Sequence, residues 1–199
     1  MYGSISGSRE SGRAAGDAQE RLNEQEEADS VLVIRATQKL RPRLGSPVAD
    51  PPASTTVLGD WYAKPVGVAQ RRFVLLISER SRLAVVMPGR EVAKLPQRFP
   101  EAMGMQLALL QVPKALYERE MAECADVVIA KTASRSLLGT LNDYAYMLHH
   151  RLSTRSDDDL DAAAFSLSHT PLAPLGYKYA SEVALSLFGI ESKRSPWPF

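Results

Sequence analysis

Basic residues stand where two buried strands give way to helical sequence, and oxyanion binding is the chemistry that placement predicts. In Lys131-Thr132-Ala133-Ser134-Arg135-Ser136-Leu137-Leu138-Gly139-Thr140-Leu141-Asn142-Asp143, an apolar strand runs into a helix whose first turn carries cations. The first N–H groups of a helix have no intrahelical partner, and the N-terminus carries partial positive charge, so acids are favoured there and bases opposed. Lys131 and Arg135 therefore cost local stability unless an anion, or a carboxylate from elsewhere in the fold, sits between them. For a bound oxyanion, Arg135 offers a bidentate fork, Lys131 a point charge and Asn142 an orienting amide.

A parallel case occurs at Arg35-Ala36-Thr37-Gln38-Lys39, again with no acid in the turn. If the two strands are neighbours, Arg35, Lys39, Lys131 and Arg135 converge on one anion-binding edge. The competing expectation is ordinary ion pairing with Asp60, Glu79 or Asp143. Asp60-Trp61-Tyr62 sets two amphipathic rings beside a carboxylate; an exposed Trp61 would stack on a base or anchor a partner, and a buried one is a core residue.

Catalytic patterns are weak. Asp60, Glu79 and Asp143 could serve a metal, yet no spacing unites them, and Ile129 stands where a restriction-type nuclease wants an acid two positions before its strand lysine. His149 and His150 adjoin on a helix and face different ways. The chain has neither a phosphate-binding P-loop nor a GxGxxG motif, and no serine or cysteine nucleophile has recognisable partners. No cofactor is expected.

The elements that would position these groups read as follows. Residues 1–30 hold three Arg and seven Asp or Glu with almost no large apolar residue, which predicts a disordered leader. Val31–Ala36, Leu58 to about Ala69, Phe73–Ser78, Leu83–Met87 and Asp126–Lys131 read as strands, the middle pair as a hairpin across Glu79–Arg82. Neither arm of the Phe73–Ser78 and Leu83–Met87 hairpin alternates cleanly, so both faces of these strands are expected to be covered. A short helix is expected from Gln38 to Leu44, capped by Thr37, stopped by Gly45 and strained by Pro42. Residues 46–56 read as a surface loop, and 91–123 as helical, with Pro113 opening the last helix.

The long helix is placed from Ser134 to about His150. At about 100° per residue, Leu137, Leu138, Leu141, Tyr144, Ala145 and Leu148 fall on its core side. Arg135, Gly139, Asn142, Tyr146 and His149 gather opposite, within about 80° of one another, as a polar groove or a solvated face. Ser156 is expected to cap a further helix with Asp157, Asp158 and Asp159 in its first turn, and a final helix spans Ser181 to Phe188. The sum is an α+β fold: about five strands in a mixed or antiparallel sheet, with C-terminal helices appended, one domain over 31–190 and a loose tail over 191–199.

Composition agrees with that frame. Of the 199 residues 45% are hydrophobic and 24% charged, enough for a core. The net charge of +1 divides into −4 over residues 1–30 and +5 over the rest, an excess that permits phosphate-bearing partners without demanding them. Cys124 is the sole cysteine, so an intrachain disulfide is excluded, and a buried apolar role is expected for it. No apolar run approaches the roughly 20 residues of a membrane helix. The N-terminus lacks the apolar core of a secretory signal, and a cytoplasmic location without membrane attachment is expected.

Val31-Leu-Val-Ile-Arg-Ala-Thr-Gln-Lys-Leu40, Leu58-Gly-Asp-Trp-Tyr-Ala63 and Lys131 to Asp143 together resemble a small bacterial family of unknown function. Its members start near the equivalent of Val31, and a related N-terminal module precedes other domains in some plasmid- and transposon-associated passenger proteins. The resemblance implies a single domain over this region and supplies no mechanism.

Three functions follow as expectations. The first is a binding protein for nucleic acid or another phosphate-bearing ligand. The second is a metal-dependent phosphodiesterase using Asp60 or Asp143. The third is a protein-interaction module, antitoxin-like or defence-associated.

Overall fold

The β-branched and aromatic runs form a five-stranded sheet in order β4-β3-β2-β1-β5 in the computed structural model, which describes residues 30–90, 92–154 and 159–191. β1 (Val31–Ala36) lies parallel to both β2 (Trp61–Val68) and β5 (Asp126–Lys131). β2, β3 (Arg71–Ser78) and β4 (Ala84–Pro88) form an antiparallel meander. The sheet is therefore mixed and the fold α+β. The leader through residue 29, the residues from Ser192 onward, and Ser156, Asp157 and Asp158 lie outside the described residues.

Successive strand residues point to opposite faces, and both faces are covered. On one face Leu32, Ile34, Trp61, Val74, Leu76 and Val85 meet α1 (Leu95–Leu109), with Phe99, Met103 and Leu107 fully buried. α2 (Lys114–Ala122) adds Tyr117 and Met121 there, with Pro113 as its N-cap. On the other face Tyr62, Val66, Phe73, Leu75 and Ile77 meet Leu137, Leu141, Tyr144 and Leu148 of α3 (Arg135–Thr154). α3 runs one turn past His150 because Leu152, one apolar step beyond Leu148, is also buried. Its 20 residues span about 30 Å.

β4 would leave a free sheet edge, an invitation to pairing with other chains. α4 (Leu160–Ser168), capped by Asp159, packs along it, and the Ala84 N–H donates to Ser168 Oγ at 3.0 Å. α5 (Ala180–Leu187) follows a two-residue ribbon of β6 (Pro171–Leu172) and β7 (Lys178–Tyr179).

The helix expected after β1 does not form. Gln38–Leu40 make a turn and Arg41–Arg43 a single 3-10 turn, since Pro42 has no N–H to continue an α-helical ladder. Thr37 Oγ1 caps nothing and is buried without a partner. The connection from β1 to β2 thus lacks a helix and is strapped to the sheet instead. The Val48 N–H donates to Ile129 O at 2.8 Å on the outer side of β5, and the Thr55 N–H to Val31 O at 2.9 Å. Ser54 and Thr55 hydroxyls accept from the Val33 and Val31 N–H groups.

Glu120 of α2 holds the last stretch before β2. Its carboxylate is 1% exposed and accepts from the Val57 N–H at 2.8 Å and the Leu58 N–H at 2.9 Å. Cys124, one turn on, is buried as expected, and burial above all pushes its thiol up to about 12. Burial likewise raises the Glu120 pKa, with the two N–H bonds opposing. Glu120→Ala strands two N–H groups and should cost about 3 kcal/mol in urea unfolding. A carboxyl with a raised folded pKa holds its proton more tightly when folded, so its contribution declines as pH rises through the folded value. The stability advantage of wild type over Glu120→Gln should accordingly be widest on the acid side of that value and narrow toward neutral pH.

Candidate functional site

The parallel register brings the two basic junctions together. Arg35 pairs with Ala130 and Ala36 with Lys131, so β1 and β5 end side by side. β2 passes the same level, with Ala63 opposite Ala36, and continues into Lys64. Arg35, Lys39, Lys64, Lys131 and Arg135 therefore belong to one end of the parallel part of the sheet.

Arg35 is compensated inside the fold. Its Nε donates to Asp60 Oδ2 at 2.5 Å, and its Nη1 to the Lys131 carbonyl at 3.1 Å. The other Asp60 oxygen accepts from Ser54 Oγ at 2.7 Å. The expected ligand role of Arg35 gives way to a structural one. Trp61 leaves the site as well: it is fully buried on the opposite sheet face, edge-on to Phe99 at 4.8 Å, and cannot stack on a ligand. Its indole N–H has no hydrogen-bond partner.

Lys39, Lys131, Arg135 and Asn142 are exposed, and among the described residues no carboxylate forms an ion pair with any of the three cations. The α3 N-terminus is closed by Ser134, whose Oγ accepts from the Leu137 N–H at 3.3 Å, and its first turn contains no acid. Gly139, Tyr146 and His149 share the exposed side with Arg135 and Asn142, as the helical spacing predicts. A Cβ at Gly139 would meet nothing within 4 Å, so this glycine opens the surface and does not serve close packing.

Lys64 joins the site unannounced by the sequence, where it reads as one polar residue inside a strand. Its partly buried Nζ donates to Asn142 Oδ1 at 2.6 Å. Burial first, and the charge of Lys39 second, lower its pKa. Two ammonium groups thus feel each other beside Asn142.

A second polar group lies beneath the first turns of α3. The β3–β4 turn is built by buried hydroxyls: Ser78 Oγ donates to Leu58 O at 2.7 Å, and Ser81 Oγ to Ser78 Oγ at 2.9 Å. This turn puts Arg82 in the left-handed region, φ 64°, where its Nη2 donates to Ser136 Oγ at 3.3 Å. Arg82 Nε and Nη1 and the Tyr144 hydroxyl are buried without partners. Burial raises the pKa of Tyr62 and of Tyr144 and lowers that of Arg82.

Among the described residues no group of three or more His, Cys, Asp and Glu side chains could hold a metal ion. An open groove of about 530 Å³ runs along α5, lined by Lys178, Glu182, Val183 and Ile190 among others, and contains none of the residues above. No described helix is long and apolar enough to cross a membrane.

No curated protein and no solved structure matches the chain. One family model does, a domain of unknown function designated DUF6933, over residues 33–183. The match runs from within β1 through the first half of α5, and takes in both basic junctions, the Arg35–Asp60 pair and the Arg82 turn. On that extent the chain belongs to the DUF6933 family.

Proposed function

We propose that the protein binds a phosphate-bearing ligand, nucleic acid foremost, in a bacterial cytoplasm, through Lys39, Lys64, Lys131, Arg135 and Asn142. The observation that supports this reading is the gathering of Lys39, Lys64, Lys131 and Arg135 at one sheet end, where none of them forms an ion pair with a carboxylate among the described residues. Like charges gathered without counter-charge are stabilised by an arriving polyanion, which releases its own counterions on binding. The open surface at Gly139 and the exposed ring of Tyr146, on the same side of α3, leave room for a ligand along the helix.

The hydrolytic alternative has less support. Asp60 spends one oxygen on Arg35 and the other on Ser54, and among the described residues no group of three or more His, Cys, Asp and Glu side chains could hold a metal at Asp60 or Asp143. Incubation of DNA and RNA with Mg²⁺ or Mn²⁺ should yield no cleavage. The interaction-module alternative loses the aromatic anchor it drew from Trp61, while Tyr146 on the polar side of α3 is 77% exposed.

Mixed-sequence oligonucleotides should bind with an affinity that falls steeply with salt, measured by fluorescence anisotropy. Arg135→Ala should weaken binding about fivefold across sequences and reduce the salt slope by roughly one. An unchanged affinity and slope for this variant would remove the reading. In NMR titration of the free protein, Lys39→Ala should move the Lys64 pKa upward, since the nearby positive charge is gone.

A further inference from the structure

We propose that Arg82, Tyr144 and Ser136 form a second site, separate from the cationic edge, that binds one small oxyanion, a carboxylate or a phosphate group. The argument starts from donors. Tyr144 is fully buried, and its hydroxyl has no hydrogen-bond partner. Arg82 Nε and Nη1 are buried and equally unbonded, and the single bond of this guanidinium runs from Nη2 to Ser136 Oγ at 3.3 Å. The charges of Arg82 and Tyr144 act on each other, so the two groups lie within electrostatic reach.

A guanidinium only donates hydrogen bonds, and a phenol donates one. The neutral hydroxyls of this set can accept, as Ser136 Oγ does, but what it lacks is an acceptor bearing negative charge, which would also neutralise Arg82. Among the described residues no carboxylate forms an ion pair with Arg82. Glu79 is the one described acid whose charge is felt at Arg82; it is exposed and makes no ion pair with it. Leaving a guanidinium half-buried with two unbonded nitrogens is costly in a folded protein, and such groups are rare without a reason.

The backbone shows the same commitment. Arg82 holds a left-handed φ of 64°, which non-glycine residues seldom adopt, and the turn around it is fixed by the Ser78–Ser81 hydroxyl pair. That geometry directs the side chain under α3 instead of into water. Arg82 itself is partly exposed and Ser136 is exposed beside the first turn of α3, while the unbonded nitrogens and the Tyr144 hydroxyl lie inside the surface. Ser134 already satisfies the Leu137 N–H there, so recognition falls to side chains and not to a bare helix end.

The test uses the full chain with inorganic phosphate and, separately, acetate as probes, at fixed ionic strength, followed by thermal unfolding. Saturable stabilisation of the wild type by either anion is expected. Response to phosphate alone assigns a tetrahedral oxyanion, and response to acetate a carboxylate. Tyr144→Phe keeps the ring and should unfold at the same temperature as wild type, or slightly higher, in anion-free buffer, while losing at least tenfold in anion affinity. Arg82→Gln should abolish the response, and Arg135→Ala should leave it intact. The proposal is overturned if neither anion stabilises the wild type, if Tyr144→Phe and Arg82→Gln respond as wild type does, or if Tyr144→Phe is strongly destabilised. Loss in Arg135→Ala with retention in Tyr144→Phe assigns the anion to the cationic edge; it ends this proposal and supports the other.

Discussion

The ion pair between Arg35 and Asp60 is the contact on which the arrangement of this end of the sheet depends. It joins the last turn of β1 to the residue that precedes β2, and the second arm of the guanidinium reaches the β5 carbonyl at Lys131. Without a crossover helix, the β1–β2 connection needs another way to be held, and Ser54 on the free oxygen of Asp60 supplies it. Asp60 is 6% exposed, so the pair sits where a single unpaired charge would cost several kcal/mol, on the order of 3–5. The same residue goes further through its backbone, since the Glu79 N–H donates to Asp60 O at 2.7 Å. One contact therefore sets the parallel strand ends and, through the β3–β4 turn, the position of Arg82.

Much of the frame could be read from residue order, because strands made of β-branched runs and a helix with a 3.6-residue apolar period are local signals. β1, the β3–β4 hairpin, β5 and the core side of α3 follow from them directly. The short helix after β1 was lost to a local effect that the sequence also displays: Pro42 withholds the N–H that an α-helical turn needs there. Strand order was not legible, since the hydrogen bonds that fix it join residues far apart; Val31 and Asp126 meet across nearly half of the chain. Register then decided the fate of each candidate cation. Arg35 faces the side of the sheet where Asp60 waits, whereas Lys131 at the last position of β5, and Lys39 and Arg135 beyond the strand ends, are exposed to water.

The groups that the residue pattern did not reveal share one physical trait. Glu120, Lys64 and Arg82 acquire their character from partners many positions away: Val57 and Leu58, Asn142, and Ser136. A lone glutamate on a helix or a lone lysine in a strand has no local signature that distinguishes burial from solvation. Arg82 is the extreme case, because its turn sequence Glu79-Arg80-Ser81-Arg82 reads as an ordinary charged hairpin loop. What makes it unusual is the left-handed backbone that Ser78 and Ser81 lock in place.

The two electropositive features differ in what they cost the protein, and that difference bears on what each can recognise. Lys39, Lys131 and Arg135 keep their hydration, so their mutual repulsion is weakened by water and screened over about 8 Å at physiological ionic strength. Such a surface attracts any polyanion and discriminates little among sequences. Arg82 has already given up part of its hydration, and its unbonded nitrogens point into a medium of lower dielectric, where an oxyanion interacts more strongly and only in a fixed geometry. An edge of the first kind gathers a ligand, while a donor set of the second kind selects a chemical group on it. Both flank the first turns of α3, Arg135 on its outer side and Ser136 beside Arg82, so in the proposed reading one helix start would carry attraction and selection on adjacent residues.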